Sequence, residues 1–181
     1  MITSRIFIIV GVAASGKTSV GRLLAQKTKY KFYDADKFHA LKSIQKMKRG
    51  IPLEDGDRQP WLKKLRALIQ KHLRNNQNMI LSCSALKEKY RKALQVDFER
   101  VDFIYLKASR NLIAERLKNR QHKFFNSKLM DSQFEILEEP INAYTVNAAI
   151  SLNTIVHKIV RHYKIIECCN TRPKFIEVSS K

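Results

Sequence analysis

At 181 residues, 44% hydrophobic and 28% charged, the chain has the size and apolar content of one globular domain; five Gly and four Pro exclude a collagen-like or linker-like chain. Lys and Arg total 35 against 16 Asp and Glu, a formal net charge of +19 that suits anionic ligands; because the basic residues are dispersed over several segments, it predicts a basic surface and no nucleic-acid partner. No apolar run approaches the ~20 residues of a membrane span, and the first five residues lack a secretory lead, so the expectation is a cytoplasmic protein with no membrane partner.

In chain order, Ile6–Val10 is a continuous β-branched and aromatic run, the pattern of a strand buried on both faces. Val20, Leu23 and Leu24 then mark a helical stripe. Residues 31–33 read as a second strand ending at Asp34, and 43–49 as a short helix stopped by Gly50 and Pro52. Pro60 is placed in the first turn of a longer helix whose apolar side carries Trp61, Leu65, Ile69 and Leu73. Strands at 79–83 and 101–106 flank a helix at 87–94, and Ser109 is a candidate N-cap for the helix of Leu112, Ile113 and Leu117. Residues 121–128 read as an exposed loop and 132–137 as a helix. A strand at 144–148 and a helix at Leu152–Tyr163 complete the series. Strands alternating with helices predict a parallel five-stranded sheet in a three-layer α/β/α domain over 1–164, with 165–181 as a tail outside it. Cys83, Cys168 and Cys169 draw neither a disulfide framework nor a zinc pattern and are read as reduced thiols.

The strongest short signal is Gly11-Val12-Ala13-Ala14-Ser15-Gly16-Lys17-Thr18, which fits G-x-x-x-x-G-K-[ST] between a strand and a helix. A triphosphate needs several N–H donors converging on one concavity, and small residues let the backbone curl that tightly. Gly11, Ala13, Ala14, Ser15, Gly16, Lys17, Thr18 and Ser19 are therefore the nucleotide-binding candidates. Lys17 reaches the β/γ-phosphates and the Thr18 hydroxyl ligates Mg²⁺, so ATP and Mg²⁺ are the expected cofactors. The strand at 79–83 ends without the acid that often serves magnesium. Asp34 and Asp36, spaced by two in what reads as an extended segment, are the alternative: one holds a magnesium-bound water and the other accepts a hydroxyl proton. A turn or helix-capping pair is the competing reading.

Several further segments share an order with a known family. These are Phe32-Tyr33-Asp34-Ala35-Asp36-Lys37-Phe38-His39, Gly50-Ile51-Pro52-Leu53, Asp57-Arg58-Gln59-Pro60-Trp61-Leu62, Cys83-Ser84-Ala85-Leu86-Lys87, Ile113-Ala114-Glu115-Arg116-Leu117 and Asp131-Ser132-Gln133-Phe134. Together with the phosphate loop they resemble the gluconate kinase family over about residues 5–163. The resemblance implies phosphorylation of D-gluconate by ATP, a P-loop kinase fold like that of shikimate and nucleoside monophosphate kinases, a mobile lid at about 120–130, and a homodimer. It implies Asp36 as proton acceptor, Asp34 nearer the metal through water, and Asp36, His39, Arg58, Lys87 and Gln133 facing gluconate. Arg58 offers a two-pronged donor for the carboxylate or the reacting phosphate. Arg116 and Arg120, four apart on one helix face, are read as an adenine or phosphate contact and a lid arginine meeting the phosphates.

The sequence departs from that family at Ala14, where Gly is usual; the expectation is that Ala is accommodated with negative φ. Lys37 and Ala40 make the acceptor pocket more basic, and His122 stands one place early in the lid, so no role is assigned to it. Another small polyol or sugar acid such as shikimate is the nearest alternative substrate, and a basic nucleic-acid-binding P-loop module the remote one.

Overall fold

The computed structural model describes residues 4–119 and 127–166. Five parallel strands, β1 (Ile6–Val10), β2 (Lys31–Asp34), β3 (Met79–Ser82), β4 (Val101–Lys107) and β5 (Tyr144–Asn147), form one sheet in the order β2-β3-β1-β4-β5. The helices are α1 (Lys17–Thr28), α2 (Leu41–Lys48), α3 (Asp55–Arg74), α4 (Glu88–Leu94), α5 (Arg110–Asn119), α6 (Ser127–Glu135) and α7 (Leu152–Tyr163), with a 3-10 turn at Ala35–Phe38. Among the described residues no helix is long and apolar enough to cross a membrane.

The alternation of β1 explains the three layers. Ile6, Ile8 and Val10 join Trp61, Leu65 and Ile69 of α3 on one face, while Phe7 and Ile9 join Val20, Leu24, Ile155 and Ile159 of α1 and α7 on the other. A fully buried side chain of this size contributes roughly 1.5–3 kcal/mol, so a central strand buried at all five positions is a strong determinant of the fold. At its lower end Arg5 donates both Nε and Nη2 to the Asp102 carboxylate, with Nε to Oδ2 at 3.0 Å, tying the start of β1 to β4. Gly21 on α1 meets the sheet closely: a Cβ there would come within 2.4 Å of the Phe32 ring, so any larger residue would have to displace that ring.

The starts of two helices differ from the sequence expectation by five residues each. Helix α3 begins at Asp55, five residues before Pro60, because Asp57 Oδ2 accepts the Glu54 N–H at 3.0 Å and fixes the first turn there. Pro60 consequently lies inside the helix, at an exposed position facing water. Helix α6 starts at Ser127, so 127–128 are helical rather than loop. The expected Ser109 cap is present, its Oγ accepting the Leu112 N–H at 3.2 Å. The 121–126 part of the expected loop, most of the expected lid including Arg120 and His122, and the tail beyond Ile166 lie outside the described residues.

Candidate active site

The phosphate loop joins the top of β1 to α1. Gly11 has φ +146°, and a Cβ there would stand 2.9 Å from the Leu106 carbonyl oxygen, so the close pass of the loop over β4 requires glycine. Ala14 takes φ 59°, in the left-handed region, which overturns the expectation of negative φ: the loop needs that turn regardless of which small residue occupies it. The Lys17 ammonium curls over the loop and donates to the Val12 carbonyl oxygen at 2.7 Å. Burial lowers its pKa, opposed chiefly by the Asp36 carboxylate. Ser15 is buried and its hydroxyl has no partner among the described residues, whereas Ser19 sits exposed on α1.

Two side chains from distant elements hold this loop. Arg116 on α5 donates from Nη1 to the carbonyls of Ala14 (3.2 Å) and Ser15 (3.0 Å), and from Nη2 to Ala148 beyond β5. Its guanidinium is thus engaged with the loop carbonyls and with the chain just past β5. Gln133 on α6 accepts the Ala13 N–H through Oε1 at 2.7 Å. That contact joins α6 to a backbone N–H of the loop, across 120 positions of sequence.

Asp34 closes β2. Its Oδ2 accepts from the Thr18 hydroxyl at 3.2 Å, and its Oδ1 accepts the Asp36 N–H at 3.2 Å as the cap of the 3-10 turn. Asp34 and Asp36 therefore do not continue an extended segment: the chain coils into a 3-10 turn at Ala35, although both carboxylates still act on Lys17. The capping and metal-site readings of Asp34 coexist in one carboxylate. Among the described residues no cluster of three or more His, Cys, Asp or Glu could cage a metal. A hydroxyl beside a carboxylate at the foot of a phosphate cradle is instead the donor set for Mg²⁺ that keeps phosphate and water ligands. Residues Thr18 and Asp34 fit that ion.

A cavity of about 490 Å³ opens beside the loop, with Lys17, Asp36, His39, Arg58, Lys87 and Gln133 all in its wall. The structure thus brings together all five residues expected to face the substrate, next to the loop lysine. His39 stacks on Trp61, ring centroids 4.6 Å apart and planes at 7°, while the Trp61 indole N–H donates to the Ala35 carbonyl at 2.7 Å. Burial depresses the His39 pKa below the usual 6.5, with Arg58 adding to the effect and Asp36 opposing it. Arg58 Nη1 donates to the Leu53 carbonyl at 2.5 Å and to the Tyr90 hydroxyl at 3.2 Å. Lys87 donates to Asp55 at 3.2 Å.

Sequence reasoning missed Asp55 and Tyr90, which hold Lys87 and Arg58 respectively, and it took Trp61 as core only. No spacing signals such partners, since Asp55 and Tyr90 are 35 positions apart. Cys83, at the end of β3, is buried and its thiol is pushed up to about 12 by burial, so it is no nucleophile near neutral pH.

The family model for shikimate kinase matches residues 13–164. A probable gluconokinase of Dictyostelium discoideum is 37% identical over 179 residues, covering 95% of this chain and 82% of its own. A solved sugar kinase from Janibacter sp. superposes with a TM-score of 0.83 at 32% identity, covering 90% of this chain and 95% of its own. A solved gluconokinase from Sinorhizobium meliloti gives a TM-score of 0.77 at 35% identity, covering 89% of this chain and 92% of its own. A phosphate cradle, a hydroxyl–carboxylate pair at its foot and a basic polar cavity beside it meet these likenesses over nearly the whole length: the chain belongs to the gluconokinase family of P-loop kinases.

Proposed function

We propose that the chain is a gluconokinase, transferring the γ-phosphoryl group of ATP to a hydroxyl of D-gluconate to give ADP and 6-phospho-D-gluconate. The observation that carries this reading is the shared wall of one cavity: Lys17 of the phosphate loop and the polar set Asp36, His39, Arg58 and Lys87 face the same space. A polyol with one carboxylate asks for hydroxyl acceptors and for cations, and this set supplies both.

In this reading the loop N–H groups and Lys17 bind the phosphates, releasing Lys17 from the Val12 carbonyl it holds in the present structure. Mg²⁺, held by the Thr18 hydroxyl and, through water, by Asp34, would offset phosphate charge. Asp36 accepts the proton of the attacking hydroxyl as its oxygen bonds to phosphorus; the bond to the β–γ bridging oxygen breaks and ADP carries the electron pair away. His39, held flat against Trp61, accepts or donates a single hydrogen bond to the polyol. Arg58 and Lys87 receive the carboxylate. Arg116 keeps the loop's shape from behind, leaving the phosphate-side cation to be supplied by the segment that includes Arg120.

A coupled assay of ADP release tests the assignment. Gluconate is expected to be turned over with kcat/KM at least ~100-fold above shikimate or uncharged hexitols, because a site built for a carboxylate and hydroxyls leaves polar groups unpaired with the wrong guest. Turnover of shikimate in preference to gluconate would replace the substrate, and no sugar acid raising ADP release above the water background would remove the reading.

A further inference from the structure

In the basic wall of the cavity stands a carboxylate to which the reaction above assigns no part. Asp55, in the first turn of α3, accepts from Lys87 Nζ at 3.2 Å and also from Lys89 and from the Tyr90 hydroxyl. The Tyr90 oxygen, having given its proton to Asp55, accepts in turn from Arg58 Nη1 at 3.2 Å. The order of donation is therefore fixed: Arg58 to Tyr90, Tyr90 to Asp55, and Lys87 to Asp55 from the other side. Tyr90 is only 4% exposed, so its hydroxyl has no freedom to turn elsewhere without leaving a polar atom unsatisfied. Arg58, Lys87 and Lys89 all lie within 5.9 Å of its ring centroid.

The charge count gives the arrangement its meaning. Two lysines meet one carboxylate directly and Arg58 is linked to it through Tyr90; without it like charges would push Lys87 and Arg58 apart. With it, Lys87 spends one of three N–H donors on Asp55 and keeps two for a guest. Arg58 spends Nη1 on Leu53 and Tyr90, leaving its Nε and Nη2 edge for a planar, two-pronged partner. Asp55, Arg58 and Lys87 all border the cavity, whereas Tyr90 stands behind it.

We propose that Asp55 and Tyr90 are positioning residues for the acceptor's carboxylate, holding Lys87 and Arg58 as a preset pair of cations; this rests on the gluconokinase reading. A competing role is opposite in sign: Asp55 would occupy the cations and be displaced by the guest. The two separate cleanly in kinetics. The full chain carrying Asp55→Asn should show a KM for gluconate raised about tenfold or more, and Tyr90→Phe one raised about threefold to tenfold, with the KM for ATP within twofold of the parent in both. The double variant should be little worse than Asp55→Asn alone, since both act through one chain of bonds.

Melting temperature, followed in parallel, guards against a folding defect, and Tyr90→Phe, which deletes one oxygen from a buried ring, keeps the test alive if Asp55→Asn folds poorly. A purely structural role would lower melting temperature and disturb both KM values together, and that result overturns the proposal. So would a gluconate KM that is unchanged or lowered in Asp55→Asn, or effects that multiply in the double variant. Failure of the parent enzyme to use gluconate is a distinct result, visible before any variant is made, and it overturns the functional reading and this inference together.

Discussion

Ala14 holds a left-handed backbone, φ 59°, at the crown of the phosphate loop, with its carbonyl bound by Arg116. An L-residue there costs about 1–2 kcal/mol, and glycine would relieve it at some entropic cost to the unfolded comparison. Ala14→Gly is therefore expected to stabilise the fold by about 0.5–1 kcal/mol, read as a higher urea midpoint at unchanged slope. His39 gives a second expectation at this scale. Its folded pKa lies below 6.5, chiefly through burial, so its contribution to stability is complete above pH 6.5. As pH falls below that value the unfolded chain takes up a proton that the folded chain refuses, and stability drops until the folded pKa is reached. Denaturation at pH 7.5 and 5.5 should show the parent losing more than His39→Gln, with a slope from this residue of at most about 1.4 kcal/mol per pH unit. The pair Asp34 and Asp36 marks the limit of residue-level reading. Spacing alone suggested two parallel carboxylates, but Asp34 accepts the Asp36 N–H and so bends the chain that would have made them parallel. Local side-chain to backbone bonding overrode strand geometry there.

Among the elements, α6 acts on the site at a distance from its own sequence neighbours. Gln133 Oε1 takes the Ala13 N–H, across 120 positions, and makes the pose of the loop depend on the pose of the helix. One such bond contributes about 0.5–1.5 kcal/mol, which corresponds to roughly a threefold to tenfold effect. Gln133→Ala should raise the KM for ATP by that factor, and Gln133→Glu, which retains an acceptor oxygen, should recover part of it; steady-state kinetics with ATP varied would check both. Periodicity located α7 at its observed bounds and β1 likewise, because both carry an uninterrupted apolar signal. It failed at the start of α3. There the signal was a reciprocal polar cap, Glu54 with Asp57, lying in the sequence before any apolar stripe begins, and Pro60 was mistaken for the first turn.

For the whole molecule, the alternation of strands and helices was enough to anticipate a parallel sheet with cores on both faces, since each strand buried on two sides needs helices above and below. The pocket's membership was legible through the resemblance, residue by residue, and the cavity brings those residues to one wall. What escaped was the wiring between them. Arg116 to Ala148, Tyr90 to Asp55 and Gln133 to Ala13 join segments far apart in the chain, and no one-dimensional spacing encodes such meetings. Part of the basic surplus is paired: Lys46, Lys92 and Lys107, on three different elements, each meet a carboxylate.

The order β2-β3-β1-β4-β5 also governs how the polypeptide can mature during synthesis. Of the five strands, the first in chain order is the innermost, flanked by two partners translated much later, the second of which ends at Lys107. A nascent fragment terminating before Val101 leaves Ile6–Val10 with one bare flank, so this central strand must wait until β4 has been released by the ribosome before it finds both neighbours.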